Sequence, residues 1–210
     1  IAGIDMVAQD ISRPLHEQGG AIVEVNAGPG LLMHLKPAEG APRPVGQAIV
    51  EHLFPAEEHQ DDDTVGRIPV VGVAGTRGTA TIARLVAWLL HLGGRHTGLA
   101  CRDGLFLDRR CVESADSAHW EAAHRMLMNR MVQAAVIEND ARTILRDGLA
   151  YDRCQVGVVT DMDGAENLAE FDIQTREQMT KVLRTQVDVV LDGGAAVLNA
   201  ADPQVADLAP

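Results

Sequence analysis

Two short constellations in this sequence have the residue types for chemistry. The first is Gly75-Thr76-Arg77-Gly78-Thr79-Ala80-Thr81. It lies between the apolar run Ile68–Val73 and a segment with Ile82, Leu85, Val86, Leu89 and Leu90 at helical spacing, which predicts a helix to Leu92. Strand, glycine loop and helix form the frame in which nucleoside triphosphatases cradle phosphate with loop N–H groups and a helix N-terminus. That chemistry then needs a lysine after Gly78 for the phosphates and a hydroxyl residue next to it for Mg²⁺. Thr79 and Ala80 occupy those places. The cradle is present without its charge. The second constellation is Glu24 and Asn26, two apart on the predicted strand Ala21–Asn26 and followed by Gly28-Pro29-Gly30. Their oxygens share one face and suit Mg²⁺, a hard cation that takes oxygen ligands. Asp5, on the strand predicted within Ile1–Asp10, adds a third oxygen if the two strands pair antiparallel. An edge strand with polar residues facing water reads the same way, and spacing alone leaves both readings open.

Other candidates carry less. His119 and His124 are i, i+5 on the helix predicted over Ser117–Asn129, so they diverge and read as a helix-surface pair. On that helix Trp120, Ala123, Leu127 and Met131 form the apolar stripe. Asp161 and Asp163 follow a strand and read as caps of a turn at Gly164. Cys154 reads as core packing beside Val156. The run Asp61–Asp63 lacks the glycine and terminal glutamate of a calcium loop.

The elements that must position these residues alternate. Strands are predicted at Gly98–Cys101, Leu105–Leu107, Ala134–Glu138, Gln155–Thr160 and Val187–Asp192, and helices at Val45–Phe54 and Thr175–Gln186. Strands apolar throughout, with helices between them, mean an α/β fold with a mostly parallel sheet covered on both faces. The acidic stretch Pro55–Gly66 (PAEEHQDDDTVG) has no apolar period and reads as an interdomain linker. A hydrophobic content of 46% supports a core, which at 3% aromatics must rest on aliphatic side chains. A net charge of −12 argues against a nucleic-acid partner, which needs a concentrated basic face. No apolar run has the length and evenness of a membrane span. Three cysteines without CxxC spacing point to unpaired thiols in a reducing, cytoplasmic setting. The opening IAGIDMVAQD has no signal-peptide character and reads as internal to a longer protein.

The stretch from AGIDMVAQDISRPLHEQGG through AIVEVNAGPG to VGQAIVEHLFP resembles the end of the ATP-grasp domain of the cyanophycin synthetase family. GRIPVVGVAGTRGTAT resembles the junction to that family's Mur-ligase-like domain, and CRDGLFLDRR, ILRDGLAYDRCQVGVV and VLNAADP follow in the family's order. The resemblance implies a carboxy-terminal ATP-grasp piece over 1–55, a linker over 56–66 and a Mur-ligase-like central domain over 67–210. It implies an ATP- and Mg²⁺-dependent ligase that builds an aspartate-backbone, arginine-bearing polymer by way of acyl phosphates. Aspartate, arginine, β-aspartyl-arginine or the polymer would be substrates, and a homo-oligomer is expected. Asp5, Glu24 and Asn26 match the family's Mg²⁺ ligands. Gly28 and Gly30 match the turn behind them, where backbone approaches substrate, and Arg13 is a candidate anion contact.

The Mur-like site departs from the family pattern, which the resemblance gives as GTNGKT followed by Thr or Ser. Gly75, Thr76, Gly78 and Thr81 are kept, but Thr79 replaces the lysine and Ala80 the metal-binding hydroxyl. Glu138 matches a glutamate that helps hold Mg²⁺, whereas the family's metal-binding histidine has no counterpart in Gly164–Leu168. Asn199 matches a base-contacting asparagine, and Ala201 stands where the family has aspartate. A charge-assisted phosphate contact is typically worth about 1.5–3 kcal/mol, and Arg77 sits two residues too early to replace it. These losses predict a silent Mur-like site beside a working ATP-grasp site, in a parent that joins preformed β-aspartyl-arginine units. The alternatives are a non-catalytic scaffold or polymer-docking domain, or a Mur- or folylpolyglutamate-type ligase with a rearranged loop.

Overall fold

A computed structural model of the chain describes residues 1–53 and 66–209. The predicted acidic linker, with Asp61–Asp63, lies outside the described residues except for Gly66. The chain divides into two compact units, Ile1–Gly66 and Arg67–Pro210.

The first unit is small. β1 (Gly3–Val7) and β2 (Ala21–Asn26) pair antiparallel, and the short helices α1 (Leu32–Leu35) and α2 (Val45–Leu53) follow. A bulge between Asp5 and Met6 leaves Val23 unpaired, because Asp5 lies opposite Glu24 and Met6 opposite Ile22. Ile4, Met6, Val7, Ile22, Val23 and Val25 are all exposed. Two strands and two short helices offer little surface for a core, and none of the described residues of this unit is buried.

The second unit is a seven-stranded sheet in the order β6-β5-β4-β7-β3-β8-β9. Its strands are β3 (Val70–Ala74), β4 (Thr97–Cys101), β5 (Gly104–Leu107), β6 (Arg110–Glu113), β7 (Ala134–Asn139), β8 (Cys154–Val159) and β9 (Val190–Leu198). β4, β7, β3, β8 and β9 run parallel, β5 lies antiparallel to β4, and β6 at the edge lies antiparallel to β5. β3, β4 and β7 are buried along their whole length, which is why their sequences are apolar without alternation. The helices are α3 (Thr79–Leu92), α4 (Trp120–Leu127), α5 (Ala141–Asp147), α6 (Arg176–Asp188) and α7 (Pro203–Ala206). Val71 and Val73 of β3 pack with Ala83 and Ala87 of α3. Ala74 packs on the other side with Met179, Val182 and Leu183 of α6. There Gly72 is required: a Cβ would lie 2.0 Å from the hydroxyl oxygen of Tyr151, which hydrogen-bonds Gln186.

Several expectations are corrected. α3 is rotated from its predicted stripe: Ala83 and Ala87 face the sheet, Ile82, Val86 and Leu90 flank them, and Leu85 and Leu89 are exposed. Small residues let the helix approach closely, so the larger leucines lie outside. α4 is shorter than predicted and buries Ala122, Ala123 and Met126, while Met131 lies beyond it and exposed. His119 is its N-cap, accepting from the Ala122 N–H, and His124 stacks on Trp120 with ring centroids 4.5 Å apart. The strand predicted at Val187–Asp192 begins at Val190 and runs to Leu198, because α6 continues through Asp188. Its capping box at Thr175 and Gln178 fixes where α6 starts. Cys154 is fully buried, as expected of core packing.

Candidate functional site

The first constellation comes together at one end of the large sheet. β3 ends at Ala74, level with Asn139 of β7 and Val159 of β8. The parallel register therefore brings the loop, Glu138 and the pair Thr160-Asp161 to the same edge. β4 ends at Cys101, so Arg102 joins them. Connections from β3 and β8 leave in opposite directions, to β4 and β9, and open α/β sheets form their clefts at such a point. A cleft of about 500 Å³ lies there, lined by Arg77, Ile82, Thr160, Asp161, Leu198 and Asn199 among others.

Gly75 has φ 135° and Gly78 φ 72°, backbone conformations that side-chain-bearing residues avoid. A Cβ on Gly75 would also lie 2.0 Å from the Thr160 hydroxyl oxygen. The loop's polar groups are occupied by a carboxylate. Asp161 Oδ2 accepts from the N–H groups of Thr76 at 3.1 Å and Arg77 at 3.0 Å. Its Oδ1 accepts from the Thr76 hydroxyl at 2.5 Å and the Asp163 N–H at 3.1 Å, and the Thr160 hydroxyl donates to Oδ2 at 2.8 Å. Burial works to raise the Asp161 pKa, but these donors outweigh it and hold the acid below its usual range. The predicted cap of the Gly164 turn is thus mainly a loop ligand. The Arg77 guanidinium is turned away into an ion pair with Asp163, so it does not stand in for the missing lysine.

Opposite the loop, Thr79 donates its hydroxyl proton to Glu138 Oε1 at 2.6 Å. Arg102 holds the same carboxylate twice: Nε donates to Oε1 at 2.8 Å, and the backbone N–H to Oε2 at 2.8 Å. Glu138 is 1% exposed and Arg102 46%. Burial works to lower the Arg102 pKa, but the bond to Glu138 and its charge prevail and raise it. Asn199 donates to the Thr160 carbonyl at 2.9 Å and accepts from the Ala201 N–H, so its amide is engaged by backbone. This donor and acceptor set does not fit a magnesium triphosphate, since a carboxylate stands where phosphate oxygens would and a guanidinium where metal charge would. Sequence reasoning missed Asp161 and Arg102 in these roles. The available signal was position: each follows an apolar strand at the same sheet end as the glycine loop.

In the first unit the cross-strand register sets Asp5 directly opposite Glu24, and Asn26 follows on the same face of β2. Two carboxylates and an amide, exposed or partly so, are a donor set that fits Mg²⁺. Gly28 and Gly30 adopt no positive φ, and a Cβ on either would meet open space. They are therefore not required by the local backbone. Arg13 lies in the β1–β2 connection, where its carbonyl accepts from Gln18.

The chain is 44% identical over 209 residues to cyanophycin synthetase of Synechocystis sp., covering 100% of this chain and 23% of that protein. It is 41% identical over 209 residues to cyanophycin synthetase of Trichormus variabilis, covering 100% of this chain and 22% of that protein. This chain is a homologue of cyanophycin synthetase. It spans about a quarter of the length of the curated cyanophycin synthetases it matches. No protein-family model matches it. Among solved structures, a UDP-N-acetylmuramoyl-L-alanyl-D-glutamate–2,6-diaminopimelate ligase shares its fold, with a TM-score of 0.54 at 16% identity. That match covers 77% of this cyanophycin synthetase homologue and 31% of the ligase. No helix among the described residues is long and apolar enough to cross a membrane.

Proposed function

We propose that this chain is part of an ATP- and Mg²⁺-dependent ligase of the cyanophycin synthetase type, forming amide bonds through an acyl phosphate. The observation that carries the reading is the 44% identity to a cyanophycin synthetase along the whole chain. The first unit is the end of an ATP-grasp domain, and its Asp5, Glu24 and Asn26 hold Mg²⁺. Bound metal there would neutralise triphosphate charge during phosphoryl transfer. The chain's own contribution is to fix the two carboxylates opposite one another, which the β1–β2 register supports. The second unit is a Mur-like domain without ligase chemistry of its own, a reading supported by Thr79 and Ala80 in place of the phosphate lysine and metal hydroxyl.

One activation site suits a parent that polymerises preformed β-aspartyl-arginine, since each such unit needs a single carboxylate activation. The test is ATP consumption by the full-length parent with β-aspartyl-arginine, against aspartate plus arginine on a primer. Turnover is expected with the dipeptide alone. Efficient attachment of free arginine would refute the assignment.

A further inference from the structure

Asp161, 3% exposed, is a buried carboxylate that the proposed chemistry does not use. Successive backbone N–H groups around a positive-φ glycine make a concavity for an anion, and here Thr76 and Arg77 direct theirs at Asp161. Glu138 on the neighbouring strand is buried too, and each of its oxygens already has a donor. A phosphate chain entering the loop would meet a fixed negative charge where its own oxygens must sit. A divalent ion reaching Glu138 would first have to displace a guanidinium.

We propose that Asp161 and Arg102 are built-in counter-ions: the carboxylate fills the loop's anion concavity, the guanidinium neutralises Glu138, and together they exclude triphosphate and divalent metal from this domain. This rests on the reading of the second unit as catalytically silent, and it names the residues that keep it so.

The probes are inorganic tripolyphosphate and Mn²⁺, each titrated into the full chain. For Asp161→Ala and the near-isosteric Asp161→Asn, tripolyphosphate affinity is expected to rise at least about tenfold over the unaltered chain, the effect of removing one like charge from an anion site. Folded variants with unchanged affinity would overturn the anion half. If neither variant folds, amide exchange at Thr76 and Arg77 of the unaltered chain decides: protection without added anion supports the proposal, and rapid exchange overturns it. For Arg102→Ala, Mn²⁺ affinity is expected to rise about tenfold, with the gain abolished by Glu138→Gln. No gain, or one that survives Glu138→Gln, would overturn the cation half. MgATP perturbing the Thr76 and Gly78 amides of the unaltered chain would refute the silent-domain reading and the exclusion together, whereas folded variants with unchanged affinity and no such perturbation would overturn the counter-ion proposal alone, so the two failures are distinguishable.

Discussion

The two units place their carboxylates in opposite settings, exposed in the first and buried in the second. In the first, Asp5 and Glu24 face one another across a two-stranded ribbon with no basic residue paired to either among the described contacts. In the second, Asp161 and Glu138 sit at the end of a seven-stranded sheet with every oxygen given a donor. An exposed carboxylate pair has water to solvate it and remains free to take a cation. A buried carboxylate must be satisfied internally or it destabilises the fold. Site openness and fold stability therefore pull in different directions, and each unit resolves the conflict in its own way.

That contrast can be broken most severely at the open site. In the full-length parent, Asp5→Asn or Glu24→Gln is expected to reduce ATP turnover by about a hundredfold or more, as loss of a metal-supporting group does. The thermal transition of the second unit should be unmoved. Steady-state kinetics with calorimetry checks both, and retained turnover would remove the metal assignment.

Next in size is Arg102→Leu, which strands Glu138. Removing one partner of a buried pair costs about 3–5 kcal/mol. Because Arg102 is 46% exposed, solvent offsets part of that, and a loss of about 2–3 kcal/mol is expected. Urea unfolding reads this as a lowered midpoint at unchanged slope.

Acid supplies a smaller effect. The folded pKa of Asp161 lies below its ordinary value, so its contribution is fully present above the unfolded pKa of about 4 and is lost as pH falls through the folded value. Urea midpoints at pH 6 and pH 3 should diverge more for the unaltered chain than for Asp161→Asn. Equal divergence would mean that the loop contacts contribute nothing.

The smallest expected change concerns the rotation of α3. Leu85→Lys, on the exposed face, should shift stability by no more than about 0.5 kcal/mol. Ala83→Leu, against the sheet, should cost about 1–3 kcal/mol through overpacking. The reverse order would restore the stripe predicted from sequence.

How much was legible follows from the range of the interactions involved. The sequence alone determined the β3–loop–α3 unit, because glycines, an apolar strand and helical spacing are local signals. It also determined that Glu24 and Asn26 share a face, since alternation along a strand is fixed by backbone geometry, whereas Asp5 joins them only through the cross-strand register. The missing lysine and hydroxyl at Thr79 and Ala80 were readable by inspection. Tertiary structure alone decided which face of α3 meets the sheet, because the alanine fit depends on the opposing strands. It alone decided that α6 runs on to Asp188 and delays β9 to Val190. Above all it decided the partners of the loop: Asp161 lies 85 residues from Thr76, and Arg102 lies 36 from Glu138. Parallel pairing sets these groups side by side, and no local pattern encodes which strand ends will be neighbours.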